Sequence, residues 1–280
     1  MAVASVIIPA HNEAATIGRN LRALREGTDR DDLDVVVVCN GCTDRTAEMA
    51  READPRARVI EIQRASKAEA VRVGNALTDV FPRIHLDADI ELNGTAALRL
   101  VEPIMRDDVL ATAPRRDVPR TGCSRWVRWY YDVWEALPHV EAGLFGRGVV
   151  VLSQEGQERV TALPRMMSDD LGMSDSFTGD ERRVVPVAVA VVHPPRTVRD
   201  LLRRRIRIAT GNVQAAQLGV RRPRSRTSVR ILLGLAVSRP GLALRLPVFL
   251  GVHLLARWGA RRALRSGDFT TWRRDESSRS

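Results

Sequence analysis

Two carboxylates separated by a single residue, Asp87 and Asp89, follow an apolar run that ends at Leu86. Side chains on an extended strand repeat every two residues, so both carboxylates point to the same side. At the end of a strand they reach into a cleft rather than a core. Paired carboxylate oxygens suit a divalent cation such as Mg²⁺ or Mn²⁺, which keeps several waters and also binds substrate phosphates. The alternative is an acidic turn after a strand, and the rest of the chain decides between the two.

The elements before this motif alternate between strand and helix. Runs of β-branched residues predict strands over 4–9, 34–39, 58–62 and 83–87, with helices over about 13–26, 43–52 and 66–80. Asn12 and Thr43 are the predicted N-caps of the first two helices. Such alternation predicts right-handed βαβ units and a parallel sheet covered on both faces. Ligands bind at the carboxyl ends of such strands, where this chain places Asn12, Glu13, Asn40, Asp44, Asp87 and Asp89.

The second half of the chain is predicted to be mixed. Helices are expected over 95–105, 125–137 and 197–218, and strands near the end of 144–153 and over 182–192. The helix over 125–137 carries Trp126, Trp129 and Tyr130, which either line a binding site or form a buried helix face. Gly146 is expected in a flexible loop.

Charge is distributed unevenly along the 280 residues. The net charge is +10, yet residues 196–280 alone hold 20 Arg against four acidic residues. Such a segment is typical of a surface that meets phosphates on a membrane, a nucleic acid or a phosphorylated substrate, or of a solvated Arg-rich helix. Three Cys, an odd number, favour a reducing cytoplasm over a disulfide framework, and Cys39 and Cys42 have no second Cys pair for zinc.

Residues 229–258 are strongly apolar but are interrupted by Arg239, Pro240, Arg245 and Pro247. No uninterrupted apolar run reaches the roughly 20 residues that a membrane-spanning helix needs. A helical hairpin lying on an anionic membrane surface fits this pattern. The alternative is a set of helices that cover the rest of the chain or form a dimer contact.

Five short motifs, taken in order, resemble those of family 2 glycosyltransferases. They are Ser5 to Glu13 (SVIIPAHNE), Val36 to Asp44 (VVVCNGCTD), Lys67, Leu86 to Asp89 (LDAD) and Ser168 to Leu171 (SDDL). The resemblance covers about residues 3–212 and implies an α/β chain of the GT-A (Rossmann-like) fold, with a mixed, mainly parallel sheet flanked by helices. It implies an inverting enzyme that uses a nucleoside-diphosphate sugar, UDP rather than GDP, and Mg²⁺ or Mn²⁺.

The predicted domains follow from this resemblance and from the composition. Residues 1–218 form the catalytic domain, with a nucleotide-binding half over 1–95 and an acceptor half over 96–218. Residues 219–280 form a basic, apolar helical extension at the C-terminus.

The resemblance also implies a role for individual residues. The acceptor would lie near Trp126, Trp129, Tyr130 and Gly146, unless the aromatic side chains only form a buried helix face. The nucleotide sugar would contact Pro9, Ala10, Asn12, Glu13, Asn40, Asp44, Lys67, Asp87, Ala88, Arg204 and Arg207. Asp89 would hold the metal, with His193 as a third ligand, a phosphate contact or a structural residue. Asp170 would take the proton of the acceptor hydroxyl, with Asp169 as its alternate, unless the pair only caps a helix.

Two elements of the family pattern are altered in this chain. Cys39 and Asn40 stand where two acidic residues are usual, which leaves the nucleotide base open. Ile208 stands where a Trp is common after the Arg204 and Arg207 pair, which favours a single sugar transfer over processive synthesis.

The predicted function is metal-dependent transfer of a sugar to a hydroxyl of a glycan, a lipid-linked acceptor or a small molecule. The predicted location is cytoplasmic or peripheral on the inner face of the membrane, without a nucleic-acid partner. One alternative is a membrane-surface or nucleic-acid binding protein on the same scaffold. The other is a nucleotidyltransferase, which would need a Gly-rich loop with Arg or Lys after the first strand, and Pro9 to Glu13 is not such a loop.

Overall fold

A computed structural model describes residues 2–29, 31–163, 173–217 and 227–265. Within these ranges eight strands form one mixed sheet in the order β3-β2-β1-β4-β7-β6-β8-β5. The strands are β1 (Ala4–Ala10), β2 (Leu33–Asn40), β3 (Arg58–Ile62), β4 (Arg83–Leu86), β5 (Glu91–Leu92), β6 (Ala111–Asp117), β7 (Val149–Leu152) and β8 (Arg182–Val191). The predicted bases Asp169 and Asp170 and the predicted domain boundary at 218 lie outside the described residues.

The first half of the sheet is parallel, as predicted. β1 pairs in parallel with β2 and with β4, and β2 pairs in parallel with β3. β7 then runs antiparallel to both β4 and β6, and β5 runs antiparallel to β8. The predicted mixed, mainly parallel sheet is therefore confirmed.

The helices lie on both faces of this sheet. They are α1 (Ile17–Arg25), α2 (Thr46–Ala53), α3 (Lys67–Ala76), α4 (Gly94–Met105), α5 (Arg125–Glu135), α6 (Pro138–Ala142), α7 (Gln154–Thr161), α8 (Val198–Gln217), α9 (Val229–Ser238), α10 (Pro240–Ala243) and α11 (Leu246–Arg265). Val6 and Ile8 of β1 pack in the core with α1, whereas Ile7 packs with α3 on the other face. Burial on both faces explains why β1 is continuously apolar rather than alternating.

The predicted N-caps of the first two helices are wrong. α1 begins at Ile17 after Thr16, and α2 begins at Thr46 after Arg45. Asn12 has a φ of 52°, and its Oδ1 accepts the N–H of Thr43 at 2.7 Å. Both residues therefore join the loops after β1 and β2, a contact between segments that are distant in sequence.

The C-terminal helices pack against the part of the chain that carries the sheet. α11 contacts α8 and α5, and Phe249 and Val252 belong to the same core as the sheet. Within the described ranges, the helical stretch Pro240–Arg262 meets the length and apolar composition of a helix that crosses a bilayer.

Candidate active site

The loops after β1 and β2 are joined by hydrogen bonds at the carboxyl edge of the sheet. Besides the Asn12 to Thr43 bond, the Nδ2 of Asn40 donates to the carbonyl of Ala10 at 2.7 Å. The N–H of Ala14 donates to Asp44 Oδ2 at 3.2 Å. These bonds fix the predicted nucleotide residues against one another before any ligand arrives.

Asp44 is held in its charged form by this network. Partial burial by itself would raise the pKa of Asp44, but hydrogen bonds from Thr46 and from the N–H of Ala14 offset it. The pKa of Asp44 therefore lies below its ordinary value, and the carboxylate is committed to shaping the loop.

Gly41 permits the turn that follows β2. Its φ is 56°, and a Cβ at this position would lie 2.7 Å from the backbone nitrogen of Ala65. Only glycine combines that dihedral with so close an approach of two chains.

The turn after β4 brings the paired carboxylates next to a lysine. Asp87 Oδ1 lies 2.6 Å from Lys67 Nζ, at the first residue of α3. The carbonyl of Ala88 accepts a bond from the buried Asn20 at 2.7 Å. The N–H of Asp87 donates to the carbonyl of Gly148 at 2.8 Å. The turn is therefore supported by α1, α3 and the residue before β7.

Gly148 is a site residue that the sequence did not reveal. Its φ is 66°, and a Cβ would lie 2.3 Å from Ile90 Cγ1 and 3.5 Å from Asp87 Oδ2. The pair Gly146 and Gly148, separated by one residue, was the only sequence signal for this close approach.

His193 lies beside a carboxylate that the sequence did not single out. Its Nε2 is 2.8 Å from Glu91 Oε1, and the same oxygen is 2.9 Å from Arg19. Arg204 donates to the carbonyl of His193 at 3.4 Å, which brings α8 to this edge of the sheet. Glu91 continues the two-residue repeat of Asp87 and Asp89, and that repeat was the available signal for it.

The carboxylates after β4 have the chemistry for a divalent cation. Among the residues that the structure describes, no three His, Cys, Asp or Glu side chains form a metal cluster. Mg²⁺ and similar ions are usually held by one or two carboxylates together with substrate phosphates and waters. The Asp87 side chain is one-third exposed, and Asp89 lies two residues on in the same turn. The two residues therefore fit a metal that arrives with its nucleotide.

The aromatic helix α5 has one exposed side and one buried side. Trp126 is 45% exposed and meets Trp129 edge to face at 5.5 Å between ring centroids. Tyr130 is 1% exposed and stacks on Phe249 of α11 at 5.4 Å. The structure thus favours packing for Tyr130 and leaves Trp126 open to a ligand.

Two buried arginines hold the loop over 143–148, which the sequence had suggested is flexible. Arg147 is 2% exposed and donates to the carbonyls of Gly143 and Pro114, both at 2.8 Å. Arg116 donates to the carbonyl of Val140, and its guanidinium lies 4.6 Å from the Trp134 ring centroid. Burial lowers the pKa of Arg147 to about 9 and of Arg116 to about 10. These side chains hold the loop that carries Gly146, and nothing in the sequence indicated this role.

A cavity of about 370 Å³ lies between α3 and α7, over β4 and β7. Lys67 and Asp87 line it together with His85, whose Nε2 lies 2.6 Å from Gln157 Oε1. Burial lowers the pKa of His85 to about 4, so it is neutral at physiological pH. Leu163 and Met173 also line the cavity, which therefore joins both predicted halves of the catalytic domain.

Comparisons with known proteins agree on one family and one fold. A model described as glycosyl transferase family 2 matches residues 5–147, about half of the chain. No curated protein gives a significant match.

Two of the solved structures that resemble this chain cover most of its length. A mannosyltransferase from Pyrobaculum calidifontis, solved with GDP-Man and Mn²⁺, is 22% identical with a TM-score of 0.61, over 95% of this chain and 76% of that one. Glucosyl-3-phosphoglycerate synthase from Mycobacterium tuberculosis, solved with Mn²⁺, UDP-Glc and phosphoglyceric acid, is 22% identical with a TM-score of 0.58, over 79% of this chain and 82% of that one. At this identity they establish the fold, which is of the GT-A type.

Proposed function

The chain belongs to glycosyl transferase family 2, and we propose on that basis that it moves a sugar from a nucleoside-diphosphate sugar to a hydroxyl acceptor with inversion at the anomeric carbon. The family assignment makes it a glycosyltransferase and argues against a binding protein without transfer activity.

One observation carries the proposal: the pairing of Lys67 Nζ with Asp87 Oδ1 at 2.6 Å at the carboxyl end of β4. Lys67 is the only lysine among 44 basic residues. A compact ammonium beside a carboxylate turn suits a diphosphate and its counter-ion. The loop after β1, with Pro9, Asn12 and Glu13, borders the same edge and would hold the nucleoside.

Asp89, with Asp87 beside it, would hold a divalent cation, Mg²⁺ or Mn²⁺. Such an ion supplies charge neutralisation to the departing nucleoside diphosphate. Both solved relatives described above contain Mn²⁺. Lys67 would stabilise the same phosphates, and Arg204 and Arg207, one turn apart on α8, would add positive charge.

Asp170 would act as the general base, with Asp169 as its alternate. It takes the proton of the acceptor hydroxyl while that oxygen forms the new bond to the anomeric carbon and the nucleoside diphosphate leaves. Leu163 and Met173, which precede and follow the aspartates in sequence, both line the cavity that contains Lys67 and Asp87, and this supports the proposed role.

The finer assignments belong to the same proposal. Trp126, Trp129 and Gly146 would border the acceptor. UDP rather than GDP is the proposed nucleotide, although Asn40 is 3% exposed and its amide is turned toward Ala10. The three free cysteines fit a cytoplasmic location, with peripheral attachment at the inner face of the membrane.

Replacement of Asp89 by Asn tests the proposal. We expect Mn²⁺-dependent hydrolysis or transfer of a nucleotide sugar to be lost in Asp89→Asn, while the matched surface variant Asp108→Asn keeps it. A thermal-shift screen of UDP and GDP with and without Mn²⁺ identifies the base. Unchanged turnover by Asp89→Asn would contradict the proposed site.

A further inference from the structure

Solvent-exposed apolar side chains are concentrated near the C-terminal end of the described chain. Of the 13 large apolar side chains that are exposed among the described residues, eight lie between 229 and 258. In α11 they recur every four residues: Leu250, Leu254 and Trp258 are 43%, 65% and 64% exposed. Such a contiguous apolar stripe marks an interaction surface.

The opposite side of α11 packs against the rest of the protein. Phe249, Val252, Ala256 and Ala260 are each less than 9% exposed. At Gly259 a Cβ would lie 2.6 Å from Ile206 Cδ1, so α11 and α8 are in close contact. At about 100° per residue, the buried and exposed stripes lie on opposite sides of the helix. α11 therefore presents a second apolar face while it stays packed, which is the geometry of a helix lying along a surface.

The charge around the exposed stripe selects its partner. Residues 227–265 contain seven Arg and no Asp or Glu. Arg257, Arg261 and Arg262 are exposed and flank the end of the stripe that carries Trp258. A second copy of the chain would bring these guanidinium groups together, whereas anionic headgroups would neutralise them. Tryptophan also favours the boundary between headgroups and acyl chains.

We propose that α11 docks on an anionic phospholipid bilayer and lies in the plane of its headgroups. Leu250, Leu254 and Trp258 enter the acyl boundary, and the flanking arginines contact lipid phosphates. α9 carries the same pattern, with Val229, Leu233 and Val237 exposed at intervals of four residues. The inference rests on the peripheral location proposed above and not on transfer, because none of these side chains belongs to the candidate active site.

Vesicle sedimentation of the full chain tests this surface. We expect the protein to sediment with vesicles that contain phosphatidylglycerol and to remain in solution with phosphatidylcholine alone. Binding should weaken at high salt, because the Debye length shortens from about 10 Å at 0.1 M to about 3 Å at 1 M. Replacing Arg261 and Arg262 by Gln should lower partitioning about fivefold for each charge removed.

The double variant Leu254→Asp/Trp258→Asp tests the apolar stripe. We expect it to lose vesicle binding, with unchanged circular dichroism and unchanged UDP·Mn²⁺ binding, since both positions face solvent. The matched control Val187→Asp, at an exposed valine of β8, should bind vesicles as the unmodified chain does. Trp258→Phe should remove a blue shift of Trp fluorescence that vesicles induce.

Three results would overturn the proposal. They are equal binding to both vesicle types, vesicle binding retained by the double Asp variant, and a dimer in solution that this variant dissociates. The last would assign the stripe to a second copy of the chain. Loss of nucleotide binding with vesicle binding intact would count against the proposed function alone.

Discussion

Substitution of Gly148 by alanine tests how the structure holds its paired carboxylates. The backbone of Gly148 has a φ of 66°, and its carbonyl accepts the N–H of Asp87 at 2.8 Å. An added Cβ would lie 2.3 Å from Ile90 Cγ1 and 2.8 Å from Ile90 Cδ1. Alanine in the left-handed region costs about 1–2 kcal/mol. Forced overpacking costs about 1–3 kcal/mol more.

The two costs are separable. Gly148→Ala should lower the free energy of unfolding by about 2–5 kcal/mol, the sum of both. Ile90 is 5% exposed, and Ile90→Ala should itself cost about 2–5 kcal/mol. In the double variant the clashing atoms are gone, so the loss should be smaller than the sum by about 1–3 kcal/mol.

Urea unfolding of the four proteins measures this coupling. Titration of UDP·Mn²⁺ should show affinity reduced in Gly148→Ala and partly restored in the double variant. Gly234→Ala is the control, because Gly234 lies inside α9 with no atom within 4 Å of an added Cβ and should gain up to about 1 kcal/mol. Additive losses, or a Gly148→Ala variant as stable as the unmodified chain, would refute the reasoning.

Three further predictions concern the buried groups and the proposed base. Arg147→Met should leave the carbonyls of Gly143 and Pro114 without a donor, which should lower the free energy of unfolding by about 1–3 kcal/mol for each carbonyl and should also lower kcat. The control Asp108→Asn should change neither the free energy of unfolding nor kcat. Burial lowers the pKa of His85 and of His253 to about 4, below the ordinary 6.5, so the unfolded chain binds these protons first. The free energy of unfolding should therefore be at its full value above pH 6.5 and fall as the pH drops toward 4, by up to about 2.7 kcal/mol per pH unit for the pair. His85→Gln should halve this dependence of the free energy of unfolding on pH, measured by urea unfolding at each pH. An unchanged dependence would contradict the role of His85. Asp170→Asn should abolish transfer while UDP affinity is kept, and an equal loss of both would argue against its role as base.

Much of the nucleotide half could be predicted from local sequence. β1, β2 and β3 lie where their β-branched runs placed them, and the Asp87 motif follows β4 as expected. β6 was missed, because its sequence contains Pro114 and two arginines and its pairing with β8 shifts register after Pro114. Strand character there comes from a distant partner and not from local pattern.

The functions of single polar residues were harder to predict. Asn12 has the chemistry of a helix cap, yet its Oδ1 bonds Thr43 in another loop. Tyr130 has the chemistry of an acceptor platform, yet it is buried under Phe249 from the C-terminal extension. In both cases a contact across the fold outweighed a plausible local role.

The sequence by itself determined the order of the strands and helices up to β4, the family motifs and the position of Asp87 and Asp89 at a strand end. Those features depend on periodicities of two and 3.6 residues, which are local. Only the tertiary structure decided that Lys67 meets Asp87, that Gly148 supports the turn and that His193 lies against Glu91. Each of those contacts joins segments from 20 to over 100 residues apart, and each depends on how strands and helices pack in three dimensions, which no local pattern encodes.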